Sequence, residues 1–238
     1  MTPRSEAESA GTPSTSRAAT GRNLAALAAR AWKVGVLGAE LVPQQGPVLL
    51  VSNHTAFIDG LLLAAASPRP VHVLARSELF APPFERLLRG TGQIPMDAEA
   101  PDRTALRRAC GVLDAGGVVG VFPESHRGAG DVRHVRHWAA YLAARNGVVV
   151  VPVAILGSRP AGSAKDALPR VRSRIDVVIG EPVSAPVVGD VHRRAVIAGS
   201  GERLRQILAD HVLDACARTG QHLPGPLPDP SHETRSDA

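Results

Sequence analysis

The residues best suited to chemistry are Ser52-Asn53-His54-Thr55-Ala56-Phe57-Ile58-Asp59, where a β-branched apolar run gives way to helical spacing. Loops at the carboxyl ends of strands are where open α/β sheets place their sites. Ser52 or Asn53 can cap the following helix, leaving His54 beside unpaired backbone N–H groups whose partial positive charge favours neutral imidazole. Neutral imidazole is what a general base requires. His54 and Asp59 lie about 140° apart on a regular helix at roughly 100° per residue, so they cannot meet across a straight one. With His54 on an irregular turn, however, the chain can fold back so that Asp59 accepts the other imidazole N–H and fixes tautomer and orientation. The plain alternative is a capped helix with Asp59 on the surface.

A second group, Phe122-Pro123-Glu124-Ser125-His126-Arg127-Gly128, directly follows another apolar run. Arg127 offers a rigid, permanently charged fork suited to phosphate oxygens, and Gly128 and Gly130 let backbone come close to a ligand. An anion site is the functional reading; a solvated turn with a surface arginine is the plain one. Ser125 follows Glu124 rather than sitting in a Gly-x-Ser-x-Gly turn, which argues against a serine hydrolase. His134 and His137 have no third ligand at matching spacing, so they fall on a basic face with Arg133 and Arg136 rather than at a metal.

The elements that must position these residues read as alternating strands and helices. Strands are predicted over 47–52, 71–76, 118–122, 148–154 and 174–179, and helices over 56–66, 84–89, 102–115, 135–145 and 201–217. The alternation predicts a single α/β domain with a mostly parallel sheet flanked by helices, whose buried strands read as unbroken apolar runs. Ahead of it, Leu24, Leu27, Ala31, Val34, Leu37 and Leu41 recur every three or four positions opposite Arg22, Lys33 and Glu40. This predicts an N-terminal amphipathic helix over 22–41, either packed on the domain or lying in a membrane interface. The domain is expected over 21–219, between a disordered extension over 1–20 and a proline-rich disordered tail over 220–238.

No run is apolar enough to span a bilayer. The net charge of +5, supplied almost entirely by arginine since Lys33 and Lys165 are the only lysines, favours an anionic partner. With only 3% aromatic residues, interleaved stacking residues are lacking and nucleic acid is not expected. Cys110 and Cys216 sit on the apolar sides of helical patterns and are expected as buried free thiols in a reducing cytoplasm.

Taken together, these segments resemble the glycerolipid acyltransferase family, of the lysophosphatidic acid acyltransferase (1-acylglycerol-3-phosphate acyltransferase) type. The family's Asn-His-x4-Asp signature is matched by Asn53, His54 and Asp59. Its second block resembles Arg76-Ser77-Glu78-Leu79-Phe80 continuing through Pro83, Phe84, Gly92, Ile94, Pro95 and Asp97. Its third, Phe-Pro-Glu-Gly-x-Arg, is matched at Phe122, Pro123, Glu124 and Arg127, and its fourth resembles 149–154 with Pro152. The resemblance implies His54 as base, Asp59 as its orienter, and an acyl group passing from acyl-CoA or acyl-carrier protein to a lysophospholipid without a covalent enzyme intermediate. Backbone N–H groups near the helix start would hold the oxyanion. Asn53, Arg76, Phe122, Pro123, Glu124, Ser125, His126, Arg127 and Gly128 are expected around the substrate, with no metal or other cofactor needed. The expected location is peripheral, on an anionic membrane surface at its cytoplasmic face. Ser125 and His126 stand where the family commonly has Gly and Thr, and Ala98 where it has Arg. These departures leave another lysolipid or polar lipid open as acceptor, with Arg103, Arg76 or His126 as replacements for the missing arginine. A lipid-surface binder without activity is the reading from a different class.

Overall fold

The computed structural model describes residues 12–97, 102–124, 126–144, 148–184 and 194–228. Its centre is β2 (Val48–Ser52), five consecutive buried residues with parallel partners on both sides, β5 (Val118–Val121) and β6 (Val149–Leu156). Beyond β5 come β3 (Val71–Arg76) and β4 (Ile94–Met96), also parallel. Beyond β6 the sheet reverses: β7 (Arg174–Ile179) and the two-residue β8 (Val183–Ser184) are antiparallel to it, and β1 (Lys33–Leu37) closes the edge parallel to β7. The mostly parallel α/β sheet expected from the alternating pattern is thus the one observed.

Side chains alternate across the strands, so each apolar run supplies two cores. Leu49 and Val51 face α4 (Arg103–Asp114), α5 (His137–Ala143) and α6 (Arg194–Thr219), where Leu113, Leu142, Leu204 and Leu208 pack. Val48 and Leu50 face the other way, toward Leu62 and Leu63 of α2 (Asp59–Ala66). Against α2 lies α1 (Thr15–Ala29), with α3 (Glu85–Gly90) beside it. No described helix is long and apolar enough to cross a membrane.

The N-terminal helix differs from its expected form in position and in face. It begins at Thr15, inside the segment expected to be disordered, and residues 33–37 form β1 instead of a continuing helix. Val34 and Val36 are β-branched and Gly35 and Gly38 weaken a helix, while pairing with β7 supplies the backbone hydrogen bonds the helix would have made. The buried face of α1 is small: Ala18, Gly21, Ala25 and Ala29. A Cβ on Gly21 would stand 2.8 Å from that of Thr91, so this helix lies too close to the end of α3 for any side chain there. Leu24 and Leu27 of the predicted apolar stripe are 45% and 61% exposed, so they do not pack on the domain.

Part of the expected disordered tail is also packed. Gln221 donates to Asp176 at 2.8 Å, Gly225 accepts from Arg159 at 2.6 Å, and Leu223 lies against the core. Residues 1–11 and 229–238 lie outside the described ones. Neither Cys110 nor Cys216 is in a disulfide, and both are half-buried against the core rather than fully buried.

Candidate active site

Helix α2 starts three residues later than the apolar spacing indicates, and that delay makes the site. Between the end of β2 and Asp59 the chain forms a turn in which one carboxylate oxygen, Asp59 Oδ2, accepts hydrogen bonds from the backbone N–H groups of Thr55 (2.7 Å) and Ala56 (2.8 Å). The same oxygen lies 3.0 Å from His54 Nδ1. Asp59 is fully buried, and three hydrogen bonds offset the desolvation of its charge. When Nδ1 carries the imidazole proton it donates to Asp59, and Nε2 keeps a lone pair for a substrate hydroxyl. The ring is held from beneath by Phe122, with centroids 4.3 Å apart and planes inclined by 25°.

Two expectations about this turn are corrected. Neither Ser52 nor Asn53 caps α2: the Ser52 hydroxyl donates to the Asn53 carbonyl, and Asp59 serves the turn itself. The N–H groups of Thr55 and Ala56 are therefore occupied and not available to an oxyanion. Asn53, expected at the substrate, is fully buried. Its amide donates to the Ile155 carbonyl at 3.1 Å and accepts from the Ile155 N–H at 2.8 Å. The side chain thus continues the pairing of β2 with β6 after the β2 backbone has turned away.

The second motif braces the first. Gly128 donates to the His54 carbonyl at 3.0 Å, and Gly130, at φ +80°, comes so close that a Cβ would stand 2.6 Å from Thr55 Cγ2. Pro123 is buried, and its carbonyl accepts from Arg136 N–H at 3.0 Å. It shapes the loop rather than meeting substrate. Glu124 sits behind the His54 backbone. Burial pushes its carboxyl up to about 7, opposed by a hydrogen bond with the His54 backbone and aided by the charges of Asp131 and Asp59. Its Oε1 is buried with no hydrogen-bond partner among the described residues.

Arg159, which the sequence reading did not single out, holds the second motif from behind. It is 2% exposed and donates to the carbonyls of Ser163 (2.8 Å), Gly128 (3.1 Å) and Gly225 (2.6 Å). Burial lowers its pKa, partly countered by Asp59. The only clue in the sequence is an arginine three residues after the end of an apolar strand.

The cleft above His54 and Phe122 is bordered by Arg76, Arg127, Met96 and Trp138. Arg76 pairs with Glu78 at 3.1 Å, and Arg127 donates to Asp166 at 2.6 Å and to the Lys165 carbonyl at 3.1 Å. His126 is exposed and, with Gly128, borders a separate wide cleft beside Leu223 and Pro226 rather than the one above His54. Ser125 and Ala98 lie outside the described residues. From the His54 cleft an apolar groove of about 280 Å³ runs between α1, α2 and α3, past Leu61, Ala64 and Leu87. Phe57, Gly60, Val73, Ala75 and Leu79 border both spaces.

The chain is similar in sequence and in fold to known proteins. A 1-acyl-sn-glycerol-3-phosphate acyltransferase of Bacillus subtilis is 25% identical over 175 residues, covering 73% of this chain and 85% of that protein. One from Borreliella burgdorferi is 28% identical over 131 residues, covering 52% of this chain; the chain spans about half of that protein, 51%. In fold, the chain is similar to the crystal structure of the 1-acyl-sn-glycerophosphate (LPA) acyltransferase from Thermotoga maritima. The TM-score is 0.61 at 21% identity, over 85% of this chain and 79% of the other. The profile of the acyltransferase family matches residues 33–156, from the edge strand β1 through the end of β6. That stretch contains the His54 turn and the Arg127 loop, and the chain belongs to the acyltransferase family.

Proposed function

We propose that this enzyme transfers a fatty acyl group from acyl-CoA or acyl-carrier protein to the free hydroxyl of a lysophospholipid, 1-acylglycerol-3-phosphate foremost, as a step of phospholipid biosynthesis. The observation that carries the proposal is the 3.0 Å contact of His54 with a fully buried Asp59 in a cleft that joins an apolar groove. His54 Nε2 takes the proton of the acceptor hydroxyl as its oxygen attacks the thioester carbonyl. The tetrahedral adduct expels the thiolate, which takes the proton back from the imidazolium, leaving ester and thiol. The Asp59 carboxylate stabilises the imidazolium between these steps. The acyl chain occupies the groove between α1, α2 and α3, and Arg127 with Arg76 faces the acceptor's head group.

Exposed Leu24, Leu27, Phe84 and Leu87 on α1 and around α3 support docking on a lipid surface. The proposed setting is an anionic membrane, at its cytoplasmic face. An acceptor screen with purified protein and labelled acyl-CoA or acyl-carrier protein, the product identified by mass, tests the proposal. Labelled 1,2-diacylglycerol-3-phosphate is the expected product. Acylation of none of the lysolipids, by a folded protein that still binds liposomes, would favour a lipid-surface binder instead.

A further inference from the structure

Each of the two guanidinium groups at the catalytic cleft holds a carboxylate, and the two pairs differ in kind. Arg76 and Glu78 are two residues apart, a local pairing at the end of β3. Asp166 reaches Arg127 from 39 residues further along the chain, at 2.6 Å, from the segment joining β6 to β7. That segment is fastened along its length. Arg159 donates to the Ser163 carbonyl at 2.8 Å, Ala167 N–H to the Ala164 carbonyl at 3.1 Å, and Trp32 Nε1 to the Pro169 carbonyl at 3.1 Å. The Asp166 side chain is 67% exposed against 17% for Arg127. The carboxylate therefore lies on the solvent side of Arg127, and an anion arriving from solvent must compete with it for the guanidinium.

What displaces Asp166 must bring more charge than Asp166 does. A phosphate monoester carries about −1.5 to −2 at pH 7 and three acceptor oxygens, because its second proton leaves near pH 6. A phosphodiester carries a single charge and two free oxygens, and would exchange one monoanion for another while facing the repulsion of the first. We propose that Asp166 selects the acceptor by head-group charge, yielding Arg127 to phosphate monoesters and withholding it from phosphodiesters. The inference rests on the lysophospholipid reading above and adds the residue that sets its selectivity. Asp166 acts through Arg127 and is a positioning residue.

The test compares kcat/KM for 1-acylglycerol-3-phosphate, a monoester, with that for 1-acylglycerophosphoglycerol, a diester, both with acyl-CoA. The enzymes are wild type, Asp166→Asn, Asp166→Glu, and Asp166→Asn combined with Arg127→Ala. Wild type should prefer the monoester, and the preference should shrink as pH falls through about 6. Asp166→Asn should narrow the preference roughly fivefold, the weight of an exposed ion pair, by lowering the KM for the diester. Asp166→Glu should keep it, and the asparagine substitution should change nothing once Arg127 is gone. Should the asparagine variant melt early, Asp166→Ser is read in the same way. An unchanged preference in Asp166→Asn, or a change that persists without Arg127, overturns the inference while leaving acyl transfer standing. Transfer to neither lipid by wild type removes the functional reading and this inference with it.

Discussion

On one wall of the cleft, Asp59 is sealed from water and takes three hydrogen bonds of 2.7–3.0 Å from residues within five positions of it. On a second side of the cleft, Arg76 and Arg127 pair with carboxylates that are 58% and 67% exposed. Breaking a buried pair leaves an uncompensated charge and costs about 3–5 kcal/mol, whereas an exposed pair contributes about 0–1 kcal/mol. His54 is consequently held in a single orientation, while Arg76 and Arg127 can exchange partners. Under the proposed function, chemistry common to every substrate belongs on the first side and discrimination on the second.

The largest effect should come from the base. His54→Ala should lower kcat by about 10²–10⁴ in a protein that still folds, and Asp59→Asn should also impair turnover by releasing the wrong tautomer. Near-normal turnover in a folded His54→Ala protein would show that the rigid wall does not perform the chemistry.

Glu124 tests the same wall through stability. Its folded-state pKa, about 7, is raised above the ordinary glutamate value. Its contribution is therefore greatest below about pH 4, declines as pH rises toward 7, and is level above that, by at most roughly 3 kcal/mol. Glu124→Gln should flatten this decline relative to wild type in urea melts taken between pH 4 and pH 8. Parallel curves for the two proteins would mean that the carboxyl is not strained by its burial.

Next in size is the exchangeable wall. Arg127→Ala should raise the acceptor KM by an amount equivalent to about 1.5–3 kcal/mol, the value of a hydrogen bond to a charged group, while leaving the donor KM in place. Lysine should restore only part, because an ammonium lacks the two-pronged geometry. An effect confined to the donor would reverse the assignment of that wall. The smallest effect is expected at the surface, where Leu27→Ser should weaken sedimentation with anionic liposomes by about 1 kcal/mol, roughly fivefold. Equal binding by the variant would show that the exposed side of α1 is not where lipid docks.

What the sequence disclosed and what it concealed follow the same physical division. The buried strands were legible because a parallel strand covered on both faces has no polar positions, and the His54–Asp59 pair because its partners are near neighbours in the chain. β1 was misread as helix because Val34, Leu37 and Leu41 also fit a helical spacing, and only β7, far along the chain, decides between the two. Thr15–Ala29 hid its packing because the contacts are made by alanine and glycine rather than by leucine. Asn53 could be found but not interpreted, since its partner is a backbone group on another strand. Arg159 and Asp166 belong to no local pattern at all, and their roles exist only once distant segments meet.

The reach of these contacts along the chain sets an order of assembly. The His54–Asp59 turn can close as soon as Asp59 is available, but the Asn53 amide must wait for Ile155, 102 positions later, and Arg159 must wait for Gly225, 66 positions beyond itself. Contacts of such separation form slowly because the intervening loop must first be closed. During synthesis the catalytic turn leaves the ribosome early, in a form that β2 and its neighbours cannot yet hold, and its final bracing arrives with almost the last described residues. A nascent chain thus lacks this bracing until Gly225 has been made.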